Sequence, residues 1–149
     1  MLWTINQTTM NNKTTLHIEA EIAIPVEKAW EIWTAPEHIT QWNQASPDWH
    51  CPAATNDLKV GGKFSSTMAA KDGSFSFEFG GVYDTVEPYK LIEYTLEDGR
   101  TVSVTFESTG NGVLIKSDFE PEDSNPHDMQ QGGWQAILNS YKAYAESIA

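Results

Sequence analysis

The sequence predicts a single α+β domain: an antiparallel sheet of about six to seven strands, two short helices after the first strand, and one long C-terminal helix. Three observations carry this. Apolar and polar residues alternate with the period of a half-buried strand in most segments between Thr15 and Phe119. Asp72-Gly73, Asp98-Gly99 and Asn111-Gly112 fall between the alternating runs, which is the punctuation of hairpins. A helical-period apolar stripe then follows a helix-start signature at Asn125-Pro126.

The first strand spans Thr15 to Ile24, with Leu16, Ile18, Ala20, Ile22 and Ile24 on one face and His17, Glu19, Glu21 and Ala23 on the other. Pro25 opens a helix at a position where its missing N–H costs nothing, and Val26, Ala29, Trp30 and Trp33 share one side of it. Pro36 starts a second short helix that ends near Trp42, with Ile39 and Trp42 on a common face. Trp49 and Cys51 alternate with Asp48 and His50 in a strand that Pro52 marks as short or at an edge. Phe64, Ser66 and Met68 share a face of the next strand, which ends at Lys71-Asp72-Gly73-Ser74. Phe75, Phe77 and Phe79 follow on one face, and Gly80-Gly81 predicts a bulge or bend before Tyr83. After the turn Glu87-Pro88-Tyr89-Lys90, three strands carry Ile92, Tyr94 and Leu96, then Val102, Val104 and Phe106, then Val113, Ile115 and Phe119. In the final helix Asn125 reads as the N-cap, Pro126 as the first helical residue and Asp128 as the acid at the positive end of the dipole. Its stripe is Trp134, Ile137, Leu138, Tyr141, Ala145 and Ile148. Gly132-Gly133 interrupts it, and a close backbone approach would explain the pair.

Composition narrows the function classes. The chain has 149 residues, enough for one domain with a core or a modest internal pocket. Nine basic against twenty-one acidic residues give a net charge of −12, which repels phosphate backbones and anionic lipid surfaces. No nucleic-acid role and no membrane span are expected, and the N-terminus lacks the basic start and apolar run of a signal peptide, so a cytoplasmic location is expected. Residues 1–12 read as an extension before a domain at 13–149. Cys51 is the only cysteine, so no intrachain disulfide forms. His17, His38, His50 and His127 are widely spaced, with neither His-x-x-x-His nor Cys-x-x-Cys, and no metal or other cofactor is expected.

Four local motifs add a family resemblance. Ile24-Pro25-Val26-Glu27-Lys28-Ala29-Trp30 resembles the AP-x-x-x-V-W segment of the START-like (SRPBCC) superfamily. Pro36-Glu37-His38-Ile39-Thr40-Gln41-Trp42 is similar to its DPE-x-L-x-x-W segment, Asp57-Leu58-Lys59-Val60-Gly61-Gly62-Lys63-Phe64 to DLR-x-GG-x-F, and Gly133-Trp134 to the GW of its last helix. In this order they resemble the branch named for activators of the heat-shock-protein-90 ATPase. The resemblance implies a helix-grip fold, a curved sheet wrapped around the last helix with a cavity between them that often holds a hydrophobic small molecule. It implies no single chemistry, since lipid carriers, hormone receptors and polyketide cyclases share the fold. Asn43 departs from it, standing where relatives commonly carry an aromatic or small apolar residue. Nothing in the 149 residues matches the separate N-terminal domain of the eukaryotic co-chaperone, so stimulation of a chaperone ATPase is not carried over, while a chaperone partner stays open as an alternative.

Two groups of residues are candidates for function. Trp33, Trp42, Trp49, Phe64, Met68, Phe75, Phe77, Tyr83, Tyr94, Val104, Trp134, Leu138 and Tyr141 are expected to line a site for a small hydrophobic or aromatic ligand, lipid or polyketide-like. A protein-interaction module would instead present an exposed apolar patch. A cyclase-like enzyme would need titratable groups converging on the cavity, and His50, Glu78 and Tyr83 are the candidates. Strand parity leaves their convergence open. Glu78 points away from Phe77 and Phe79 and reaches a pocket only if the faces are reversed. His50 points away from Cys51, which disfavours a nucleophile–base pair, and shares a face with Asp48. Arg100, beside its turn, reads as a rim salt bridge or an anchor for a ligand carboxylate.

Overall fold

The computed structural model describes residues 14–148; the expected extension at residues 1–12 lies outside them. Among the described residues, seven antiparallel strands and three helices form the α+β helix-grip arrangement. The strands are β1 (Leu16–Ile22), β2 (Trp49–Asn56), β3 (Lys63–Ala70), β4 (Ser76–Glu87), β5 (Leu91–Leu96), β6 (Thr101–Thr109) and β7 (Gly112–Phe119). The helices are α1 (Val26–Thr34), α2 (Pro36–Trp42) and α3 (His127–Ile148). Strands β2 to β7 run as a meander, and β1 pairs with β7, giving the order β1-β7-β6-β5-β4-β3-β2. The sheet curls into a half-barrel, with α3 packed along β1 and against both short helices.

Burial follows the alternation read from the sequence. Ile18 and Ile22 on β1, Ile92, Tyr94 and Leu96 on β5, Val102, Val104 and Phe106 on β6, and Val113, Ile115 and Phe119 on β7 all turn inward. They meet Leu138, Tyr141 and Ala145 of α3. Each large side chain removed from water in this way contributes roughly 1.5–3 kcal/mol. The Tyr141 hydroxyl donates to Ala29 O at 2.6 Å and Trp42 Nε1 donates to Ile32 O at 2.9 Å, so the aromatic core is also pinned by hydrogen bonds. His38 Nδ1 lies 2.7 Å from the Tyr144 hydroxyl, coupling α2 to α3.

Gly61-Gly62 turns the chain into β3. Gly61 has φ +84°, and a Cβ on Gly62 would stand 2.0 Å from Asp57 O. Gly61 N–H donates to Tyr83 O and Tyr83 N–H to Gly62 O, so the pair prolongs the β3–β4 ladder beyond the strand end.

Several local expectations shift. The Gly80-Gly81 pair is not a bulge: its register with β3 is continuous, and both glycines instead lie where a Cβ would strike a neighbouring carbonyl, Phe64 O at 2.7 Å and Thr95 O at 2.3 Å. The irregularity falls at Asp84, between Tyr83 and Thr85, and a second one between His50 and Ala53 encloses Pro52 on the edge strand. Thr109 pairs with Gly112, so Gly110-Asn111 and not Asn111-Gly112 forms the last hairpin loop. Pro25 precedes α1 with φ −65° and ψ 152°, one place earlier than expected. Asn125 does not cap α3; its Nδ2 donates to Glu122 Oε2, and the first helical bond runs from Gln130 N–H to Pro126 O. Ile32, absent from the expected face of α1, is fully buried. No helix among the described residues is long and apolar enough to cross a membrane.

Candidate functional site

Between the curled sheet and α3 lies a cavity of about 350 Å³, partly open to solvent. Its volume falls within the range of small-molecule sites. The sheet supplies most of the wall because inward-facing positions repeat every second residue. Phe64, Ser66 and Met68 come from β3, Phe77, Phe79 and Tyr83 from β4, Ile92 and Tyr94 from β5, Val104 from β6, and Ile18 and Ser117 from β1 and β7. Trp134, Ile137 and Leu138 of α3 close the opposite side, on one face of the helix within about one turn. Trp33, Ile39, Trp42 and Asn43 close the end formed by α1 and α2. Polar groups are few: Asn43, Thr55, Asn56, the two serines, the tyrosine hydroxyls, and Arg100, Glu122 and Gln130.

Aromatic contacts fix the lining. Trp134 stacks on Phe119 with centroids 3.9 Å apart and planes 5° off parallel, and its edge meets Phe79 at 5.9 Å. Phe64 packs on Tyr94 at 4.8 Å and Tyr83 at 5.2 Å. Trp33 contacts Trp42 at 5.1 Å and Tyr141 at 5.0 Å. The tryptophans therefore frame the space without filling it.

The hydroxyls in this wall stay protonated. Burial pushes the Tyr83 hydroxyl up to about 12, against the opposing effect of its hydrogen bond with Asn56. That bond is 2.6 Å, donated by Tyr83 to Asn56 Oδ1, while Asn56 Nδ2 donates to Thr34 O at 2.7 Å. Burial also raises the Tyr94 hydroxyl far above the ordinary phenol range.

Among the residues expected to line a ligand site, Trp49, Phe75 and Tyr141 stand elsewhere. Tyr141 is fully buried beneath Trp33 and Trp42. Phe75 lies in the turn before β4 and is 59% exposed, in ring contact with Trp49 and with Phe77. Phe77 is 45% exposed, so this aromatic trio borders the cavity at one residue.

The three candidates for acid–base chemistry do not meet. His50 is exposed on β2 and lines no part of the cavity. Glu78 is on the outer face, where Ser65 Oγ and Thr67 Oγ1 donate to it at 2.8 and 2.7 Å and hold its carboxyl below the usual range. Tyr83 alone faces the cavity. Buried Cys51 donates to Ala53 O at 3.4 Å, and burial raises its thiol. No cluster of three metal-ligating side chains occurs among the described residues. Arg100 forms the expected rim salt bridge, its Nε 2.8 Å from Asp98 Oδ2.

Asn56, Ser66, Ser117, Glu122 and Gln130 were not offered by the sequence as lining residues. The Cys51-Pro52 irregularity resets parity ahead of Asn56, and no apolar signal marks the two serines. Gln130 is drawn in by its loop: its Nε2 donates to Glu122 O and Asn125 O, and its Oε1 accepts Glu122 N–H.

The model of the family described as activator of Hsp90 ATPase homolog 1-like protein matches residues 23–146. A solution NMR structure of an AHSA1-like protein from Aeromonas hydrophila is 41% identical, with TM-score 0.86 over 91% of this chain and 94% of that one. A solution structure from Cytophaga hutchinsonii is 55% identical, with TM-score 0.75 over 92% and 94%. A crystal structure from Nitrosomonas europaea, 19% identical with TM-score 0.77 over 90% and 95%, shares the fold. No functionally curated protein matches the sequence. With the family match covering most of the chain, and with relatives this similar along nearly its whole length, the protein belongs to the activator of Hsp90 ATPase homolog 1-like family.

Proposed function

We propose that this protein binds a small hydrophobic molecule in the cavity between the sheet and α3. The observation that carries the reading is the cavity itself, about 350 Å³ bounded mainly by aromatic and aliphatic side chains with few polar groups. Affinity comes from apolar burial, and the polar groups set orientation. Native mass spectrometry of freshly purified protein, followed by thermal-shift screening of lipids and aromatic compounds, tests it. Retained mass or a concentration-dependent rise in Tm is expected. Absence of both sinks the reading.

A second reading, a docking surface for a protein such as a chaperone, draws on exposed Phe75 and Phe77, both in ring contact with the partly buried Trp49. Phe75→Ser would then abolish co-purification of the partner and leave small-molecule binding intact. Recovery of no stable partner with the wild-type protein counts against it.

A further inference from the structure

Two hydroxyls in the cavity wall are buried without a hydrogen-bond partner among the described residues. Tyr94 is 9% exposed; its ring packs against Phe64 and Tyr83, and its hydroxyl has no hydrogen-bond partner among the described residues. Ser117 is 4% exposed and likewise makes no side-chain hydrogen bond among them. Tyr83, beside Tyr94, is different: its proton is committed to Asn56. Buried polar groups are nearly always hydrogen-bonded, so an unsatisfied donor in a cavity wall marks where an occupant presents an acceptor.

The rim specifies the charge of that occupant. Arg100 is the only cation among the lining residues, and its Nε is already paired with Asp98. Glu122 shares the rim, its carboxylate held by the backbone N–H groups of Ser124 and Asn125 and by Asn125 Nδ2. One cation thus faces two carboxylates, on a chain of net charge −12. An anionic head group finds no uncompensated positive charge here.

We propose that the ligand is an uncharged molecule whose apolar body carries an oxygen acceptor, such as a ketone or ester carbonyl, and that the Tyr94 hydroxyl donates to that oxygen. This rests on the cavity being a ligand site, and adds the chemistry of the group that is recognised there.

The test uses three probes that share one ring system: methyl naphthyl ketone, its isosteric alkene isopropenylnaphthalene, and naphthoate. Affinities are measured by calorimetry or by chemical-shift titration for wild type and Tyr94→Phe. Wild type is expected to bind the ketone about five-fold or more tighter than the alkene, the return on one neutral hydrogen bond, and to bind naphthoate more weakly than the ketone. In Tyr94→Phe the ketone preference falls to about one, with Tm not lowered, because the hydroxyl removed has no protein partner. Equal wild-type affinities for ketone and alkene, or a preference that survives in Tyr94→Phe, overturn the acceptor assignment and leave the cavity reading standing. Naphthoate binding tightest overturns the uncharged ligand. If no probe binds wild type, the assignment is overturned, and the cavity reading is decided separately by native mass spectrometry and the thermal-shift screen. Should Tyr94→Phe fail to fold, the wild-type ranking alone decides.

Discussion

A methyl group on Gly62 has nowhere to go, because its position is 2.0 Å from Asp57 O, a backbone atom that cannot swing aside. Gly61 differs: open space surrounds its Cβ position, but its φ of +84° disfavours any side chain. Gly61→Ala is therefore expected to cost about 1 kcal/mol, and Gly62→Ala about 2–4 kcal/mol, as a collision that must displace the 57–59 turn. Urea unfolding of the two variants checks this; equal costs would refute the close-approach account. In the sequence this pair stood only within the segment similar to DLR-x-GG-x-F, and nothing there could name Asp57 as the reason for it. Single residues were illegible wherever polarity and facing disagree. Ser117 occupies an inward position that pattern reading reserves for apolar side chains; Ser66 was placed on the face of Phe64 and Met68, but nothing in its polarity marked it as cavity wall.

At the scale of elements, strand periodicity was legible because each inward row packs against one helix, and irregularities were not, because a bulge leaves no compositional mark. Helix α3 shows the opposite failure. Gly132-Gly133 suggested a close backbone approach, yet a Cβ at either position meets nothing within 4 Å. With space available and no positive φ, Gly132→Ala is expected to stabilise the protein by about 0.5–1 kcal/mol through the unfolded chain's lost freedom. A Tm at or below wild type would show that the glycine serves another purpose. The β1–β7 pair carries a pH response. His17 Nδ1 lies 2.8 Å from Asp118 Oδ1 and Nε2 2.7 Å from Glu19 Oε1, and these hydrogen bonds raise its pKa above the ordinary 6.5. A raised folded-state pKa contributes stability that is fully present below the unfolded value and lost as pH rises through the folded one. Because His17 is about half exposed, the loss is expected to be only a few tenths of a kcal/mol. NMR titration should place His17 above 6.5, and Asp118→Asn should lower it; an unshifted value in wild type refutes the bridge.

For the whole molecule, the fold was legible and the cavity's emptiness was not. Element order and turn chemistry constrain topology, whereas the space left inside depends on how Trp33, Trp42 and Trp134 pack against their neighbours, which no local pattern encodes. Two valines turn that distinction into a measurement. Val104 and Val113 are 1% and 0% exposed, both in inward rows of the same sheet, and burial alone does not separate them. Val104 borders the cavity and Val113 does not. Val113→Phe must force extra volume into a closed core and is expected to cost about 1–3 kcal/mol or more. Val104→Phe can extend into existing space, so its cost should be at least about 1 kcal/mol smaller. It should also remove the thermal shift that a bound ligand gives wild type, a shift expected whenever a ligand binds only the folded state. Chemical unfolding of both variants, with and without a ligand found by screening, decides the matter. Equal destabilisation would mean that the wall collapses in solution, and a ligand shift that survives Val104→Phe would place binding outside the cavity.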